Sequence, residues 1–156
     1  MATTILKPGD LAPEFIGKDQ DGKTIKLSDF KGKKLILYFY PKDNTSGCTA
    51  EACSLRDGYD DLQSLGMEVV GVSPDSEKSH QNFIHKYNLP FRLIADVDHA
   101  IAEKYRAWGE KKMYGKAYFG ILRTTYVINE NGTITNVFNK VDTKEHVKQI
   151  LSEINK

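Results

Sequence analysis

Cysteine is scarce in this chain: its 156 residues include two, Cys48 and Cys53, too few for a disulfide framework. Nor do they show the Cys-x-x-Cys spacing of a disulfide oxidoreductase. Long apolar runs are missing too, and no stretch approaches the roughly 20 residues that cross a bilayer, so no membrane partner is expected. Neither sign of charge is in excess, with 22 basic against 21 acidic residues. No field therefore marks nucleic acid or an anionic membrane surface as a partner. The opening MATTILKPGDLAPEF has no basic n-region and no apolar h-region, so no export is expected. The expected compartment is the reducing cytoplasm, where a close cysteine pair does redox or metal chemistry. No internal repeat and no low-complexity tract is present. What is there is a 40% apolar composition over a length that fits one compact domain, residues 1–156.

The chain is organised around the stretch LILYFYPKDNTSGCTAEACSLR, Leu35 to Arg56. Leu35 through Tyr40 is an aromatic-rich apolar run of buried-strand length, and Pro41, with no N–H for a sheet ladder, closes it. Asp43 to Gly47 form a polar loop rich in N-cap residues, after which Cys48, Ala52, Leu55, Tyr59 and Leu62 recur at helical spacing. The spacing predicts a helix from about Ser46 to Ser64, stopped at Gly66. Before it, Pro8 to Phe15 read as extended, a hairpin turns at Asp21-Gly22, and Leu27 to Phe30 make one helical turn.

Beyond it, Met67 to Val72 reads as a strand. Ser73 to Ser76 supply caps for a helix carrying His80, Phe83, Ile84 and Tyr87 on one face, ended by Asn88 and Pro90. Arg92 to Ala95 is a short strand and Asp98 to Trp108 a helix with Ile101, Ala102 and Tyr105 inward. Gly109 to Gly120, with three glycines and three lysines, reads as a surface loop. Arg123 to Asn129 and Thr133 to Phe138 form a hairpin through Glu130-Asn131-Gly132. Asp142 and Glu145 form a capping box for a last helix striped by Val147, Ile150, Leu151 and Ile154. This order predicts an α/β thioredoxin-like fold, a central mixed sheet with helices on both faces and an N-terminal β-hairpin.

Cys48 falls in the first turn of a helix beyond the carboxyl end of a parallel strand, where such sheets bind ligands. Unpaired N–H groups and the helix dipole favour a thiolate there. Cys48 is therefore the candidate nucleophile, the alternative being a small buried hydrophobe. Nothing local activates Cys53. On a regular helix the two residues are about 140° apart around the axis and about 7.5 Å along it, with Cα atoms roughly 8–9 Å apart. That exceeds the limit of about 7 Å for a disulfide. A bond between them requires the first turns to unravel, which Gly58, a poor helix residue, makes easier unless it is merely tolerated. His80 and His85 follow no standard ligand spacing with these cysteines, so no metal site and no cofactor is expected, and His80 is read as packed in its helix face.

The segment Pro41-Lys-Asp-Asn-Thr45-Ser-Gly-Cys48-Thr-Ala-Glu-Ala-Cys53 resembles the peroxiredoxin motif in its bacterioferritin-comigratory or Q-type form, which often carries a second cysteine five positions after the first. Pro13-Glu-Phe, Trp108-Gly-Glu-Lys-Lys-Met-Tyr-Gly115 and Gly120-Ile-Leu-Arg123-Thr-Thr-Tyr-Val-Ile128 are further points of likeness. The resemblance implies a thiol peroxidase acting on hydrogen peroxide and organic hydroperoxides. It makes Cys48 the peroxidatic cysteine, Thr45 and Arg123 its polar partners, Pro41 a shield and Cys53 the resolving cysteine. It also implies an intramolecular disulfide, thioredoxin or a similar dithiol as reductant, and a monomer. In isolation Pro41 reads as a strand terminator, Thr45 as a cap and Arg123 as a solvated charge. A non-enzymatic redox sensor or binding module using the same helix unwinding is the competing function.

Overall fold

The computed structural model describes residues 6–154. Its centre is a five-stranded mixed sheet of β3 (Lys34–Phe39), β4 (Met67–Ser73), β5 (Arg92–Ala95), β8 (Thr124–Ile128) and β9 (Ile134–Phe138) in the order β5-β4-β3-β8-β9. β3, β4 and β5 run parallel, while β8 lies antiparallel to both β3 and β9. Parallel neighbours need crossovers, which α1 (Ser46–Asp57), α2 (Tyr59–Ser64) and α3 (Glu77–Tyr87) supply. The N-terminal hairpin of β1 (Ile16–Lys18) and β2 (Thr24–Lys26) turns at Gly22, whose φ of +74° suits glycine.

β3 explains why helices are needed on both faces. Leu35 to Tyr40 are all fully buried, so its side chains alternate between two cores. Leu35, Leu37 and Phe39 share a core with Phe15 and Ile25, at and just before the hairpin, and with Ile101 and Tyr105, in and just after the short helix α4 (Ala100–Lys104). Ile36, Tyr38 and Tyr40 meet Cys48, Ala52 and Leu55 of α1, Phe83 of α3 and Ile150 of α5 (His146–Ile154).

Four sequence expectations need correction. The long helix over 46–64 is two helices, broken at Gly58. A β-carbon there would lie 2.5 Å from Cγ2 of Val147, so Gly58 is where α5 approaches α1 closely, neither merely tolerated nor an interior weak point. The helix over 98–108 is cut to Ala100–Lys104, because His99 and Arg106 both take positive φ and so close each end. Gly109–Gly120 is no loop but part of an antiparallel ribbon, β6 (Trp108–Met113) with β7 (Lys116–Ile121). Its two-residue turn places Tyr114 and Gly115 at φ of +53° and +79°, the geometry usually announced by Asn-Gly. Finally, the capping box is half formed. Asp142 Oδ1 accepts the Glu145 N–H at 3.2 Å, but the Asp142 N–H goes to Gln149 Oε1 at 3.0 Å, not to Glu145.

Gly58 yields a stability prediction. Its φ of −98° is open to alanine, so Gly58→Ala meets no backbone strain and gains helix propensity. The methyl group nonetheless drives into Val147, and overpacking of this kind costs about 1–3 kcal/mol. Net destabilisation in chemical denaturation is expected; a variant as stable as the parent means that α5 moves aside at no cost.

Candidate active site

Cys48 occupies the third residue of α1, just beyond the carboxyl end of β3, and Thr45 is the N-cap. The loop between them turns at Asn44, φ +64°. N–H groups in this first turn have no intrahelical partner and, with the helix dipole, favour negative charge at the Cys48 sulfur. The residue is 1% exposed. A charged group hydrogen-bonds it: Arg123, in the short link between β7 and β8, places Nη2 3.2 Å from Sγ. Gly47 lines that approach, where a β-carbon would stand in ordinary contact with the same Nη2, at 3.4 Å.

Arg123 is divided between two acceptors. Its Nη1 donates to Glu51 Oε1 at 2.6 Å, and Glu51, one helical turn after Cys48, is completely buried. Burial works against the guanidinium charge, but Glu51 and Cys48 more than offset it, so Arg123 is held above its ordinary range. Burial has the opposite consequence for Glu51, pushing its carboxyl up to about 7 in spite of Arg123. Behind Glu51 stands His146 of α5, its Nε2 3.5 Å from Oε2 and 2.9 Å from the Thr125 hydroxyl. Burial drives the His146 imidazole down to about 4.

The remaining candidates lie around this core. The Thr45 hydroxyl donates to the Lys42 carbonyl at 2.9 Å, within its own loop. Pro41 is half-buried at the start of that loop. Cys53 is half-buried and, like Cys48, a free thiol, with the regular helix intact between them. The structure thus brings Cys48 and Arg123 together, leaves Cys53 along the helix, and turns the Thr45 hydroxyl backward.

The loop is moored upstream. The Asp43 carboxylate accepts from the Tyr40 hydroxyl at 2.6 Å and the Ser79 hydroxyl at 2.8 Å, and lies 2.7 Å from His80 Nδ1. His80 also sets Nε2 2.9 Å from the Ile94 carbonyl, so His80 is buried but is more than packing in its helix face. The Asp43 N–H goes to Asp75 Oδ2 at 2.8 Å, which also takes the Ser73 hydroxyl at 2.7 Å.

Sequence reasoning missed Glu51 and His146. Both had a signal: Glu51 lies three residues after Cys48 and four before Leu55, on the inward stripe of the helix, and His146 lies four before Ile150. Two titratable residues at core positions of their helices call for partners.

The AhpC/TSA family profile matches residues 8–137. A Haemophilus influenzae protein named putative peroxiredoxin bcp is 48% identical over 146 residues, 94% of each chain. Bacillus subtilis peroxiredoxin Bcp is 45% identical over 146 residues, 94% of this chain and 93% of its own. A solved structure of the Xanthomonas campestris bacterioferritin comigratory protein, described in terms of alkyl peroxide reduction activity, superposes with a TM-score of 0.85 at 33% identity, covering 90% of both chains.

Proposed function

This chain belongs to the AhpC/TSA family and is a peroxiredoxin, a thiol peroxidase; on that premise we propose that Cys48 is its peroxidatic thiol, Arg123 the group that stabilises the reacting charge, and Cys53 the resolving thiol. The observation that carries the assignment is the 3.2 Å contact between Arg123 Nη2 and Cys48 Sγ.

Ionisation alone does not make a fast peroxidase. A free thiol of pKa about 8.5 is already roughly 7% thiolate near pH 7.4, so complete ionisation adds little more than tenfold, and a less basic sulfur is a poorer nucleophile. The larger gain comes from donors fixed where charge builds as the O–O bond breaks. A guanidinium suits this, being planar, multivalent and always charged.

The Cys48 thiolate attacks one peroxide oxygen, the O–O bond breaks, and sulfur gives up two electrons to become a sulfenic acid. The departing oxygen takes a proton and leaves as water or alcohol. The Cys53 thiol then attacks the sulfenic sulfur and water leaves, forming an intramolecular disulfide. An external dithiol, thioredoxin or one like it, supplies the two electrons that restore both thiols. Thr45 and Pro41 serve the first step by shaping and shielding the loop over the sulfur. The chain acts as a single domain, 1–156, a reading supported by the two cores sharing β3, and as a monomer, as the family resemblance implies. Cytoplasmic location follows from the same reductant requirement.

One equivalent of hydrogen peroxide added to the reduced protein tests this. The expected outcome is rapid loss of two hydrogens in the intact mass, with peptide mapping joining Cys48 to Cys53, and a second-order rate far above that of free cysteine. A rate no better than free cysteine overturns the enzyme assignment and favours a redox sensor. A disulfide between two molecules rejects Cys53 as an internal partner.

A further inference from the structure

The chain of contacts behind Arg123 ends in an arrangement that peroxide chemistry does not explain. Glu51 is fully buried, its Oε1 is taken by Arg123, and its Oε2 is buried with no hydrogen-bond partner. His146 Nε2 stands 3.5 Å from Oε2, a few tenths of an ångström beyond a made hydrogen bond. The other side of the imidazole is settled by Gln149. Its Oε1 accepts the Asp142 N–H at 3.0 Å and its Nε2 donates to the Lys140 carbonyl at 2.8 Å, so the oxygen is what faces His146 Nδ1, at 2.9 Å. Nδ1 therefore carries a hydrogen. If Nε2 carries none, it accepts from the Thr125 hydroxyl at 2.9 Å. An ionised Glu51 would then set a carboxylate lone pair against an imidazole lone pair inside the protein, with nothing between them.

We propose that Glu51 and His146 hold one proton between them, and that this hidden proton decides how much of Arg123's positive charge is available to the Cys48 sulfur and to the oxygen leaving it. The inference deepens the peroxidase reading above and rests on it. With the proton present the pair is neutral as a unit, and Arg123 balances the negative charge on the reacting atoms. With the proton gone the pair is an anion in contact with Arg123, and the guanidinium is already neutralised before peroxide arrives. Glu51 and His146 are thus positioning residues, acting through Arg123 rather than on substrate.

The other charged and titratable groups that face the pair do not supply a substitute. Cys48 lies on the same helix as Glu51. Tyr38 of β3 feels both Glu51 and Arg123, and its hydroxyl is buried without a partner. Asp142, before α5, acts on His146 and favours its protonated form, while Arg123 opposes it. Lys111 of β6 feels Arg123 and Cys48, but its ammonium is tied to the Ile121 carbonyl at 2.8 Å.

The directions of titration agree with this geometry. Burial lifts the Glu51 carboxyl from 4.5 to about 7 and lowers the His146 imidazole from 6.5 to about 4. A raised acid loses its stabilising contribution as pH climbs through the folded value; a lowered base loses its own as pH falls through 6.5 toward the folded value. Both the folded and the unfolded pair thus carry one proton between about 4.5 and 6.5. Folding moves that proton from imidazole to carboxyl without releasing it, and above neutrality it departs.

The test is the pH dependence of single-turnover oxidation by hydrogen peroxide, for the parent and for Glu51→Gln. Glutamine copies the protonated acid: its oxygen still accepts from Arg123 and its NH₂ can donate toward His146 Nε2. The parent rate is expected to rise as thiolate forms, peak, and then fall about tenfold by strongly alkaline pH, the lower end of what one adjacent charge does. Glu51→Gln is expected to lose the fall and keep a plateau. ¹⁵N NMR of the parent's His146 provides a reading independent of the variant, with the Nε2 signal moving over the same pH range as the falling limb while Nδ1 stays protonated. A falling limb that survives in Glu51→Gln, no falling limb in the parent, or an Nε2 signal indifferent to pH overturns the shared proton and leaves the peroxidase reading standing. A parent no faster than free cysteine at every pH overturns both.

Discussion

Arg123→Ala is expected to slow single-turnover oxidation by hydroperoxide by about 10²–10³-fold, the loss seen when one fixed donor to a developing oxyanion is removed, equivalent to about 3–4 kcal/mol of transition-state stabilisation. The slowing should exceed any change in the thiolate fraction of the folded protein, because the guanidinium acts on charge that appears only as the O–O bond breaks. Stopped-flow rates at several pH values, normalised to thiolate measured by ultraviolet absorbance, separate the two. A slowing accounted for wholly by thiolate fraction rejects the transition-state role. The variant also strips Glu51 of its partner inside the protein; a buried carboxyl left with neither oxygen satisfied costs about 1–3 kcal/mol. The double variant Arg123→Ala, Glu51→Gln, which holds no ionisable group at either position, should remain slow, so that the slowing is not the effect of a stranded charge. Arg123→Lys should recover only part of the rate, since one ammonium does not reproduce a planar fork that reaches Sγ and Oε1 together.

Cys53→Ser is expected to leave the first turnover at the parent rate and to cut dithiol-supported turnover more than tenfold, an order-of-magnitude expectation from losing the internal disulfide step. In the parent, Cys53 lies five residues beyond Cys48 on an intact helix, so the two sulfurs meet only after the start of α1 lets go. Without Cys53 the sulfenic acid has no internal thiol to condense with, and excess peroxide carries it to sulfinic acid, visible as two added oxygens in the intact mass. Parent-rate turnover by Cys53→Ser with the same dithiol excludes the resolving role.

The sequence was most legible where chemistry is local. An apolar run closed by Pro41, a cap-rich loop and a cysteine at helical spacing all lie within one stretch, and the structure sets Cys48 at the start of α1. It was least legible where the deciding partner is distant. The Glu51 side chain enters the core because Arg123, 72 positions away in sequence, meets it there. His146 is fixed by Thr125, 21 positions away, and by Gln149. The β6–β7 ribbon was hidden for a different reason. Many of its side chains face solvent, so no alternation of apolar and polar residues marks it as strand, and its turn residues are Tyr-Gly. At Gly58 the break between helices shows what composition cannot: glycine is required there by a neighbour's side chain rather than by backbone freedom.

The Asp43 mooring and the wedge of Val147 against Gly58 stand at opposite ends of α1, a helix of twelve residues. Any recoil of that helix is bookended. Upstream, the tethered carboxylate keeps the strand and its aromatic side chains in register; downstream, α2 begins beyond a contact that the recoil need not disturb. On the proposed mechanism, the rearrangement that joins the two sulfurs is therefore drawn from one short spool of chain, and the sheet that aims Arg123 stays in place for the thiol to wind back to.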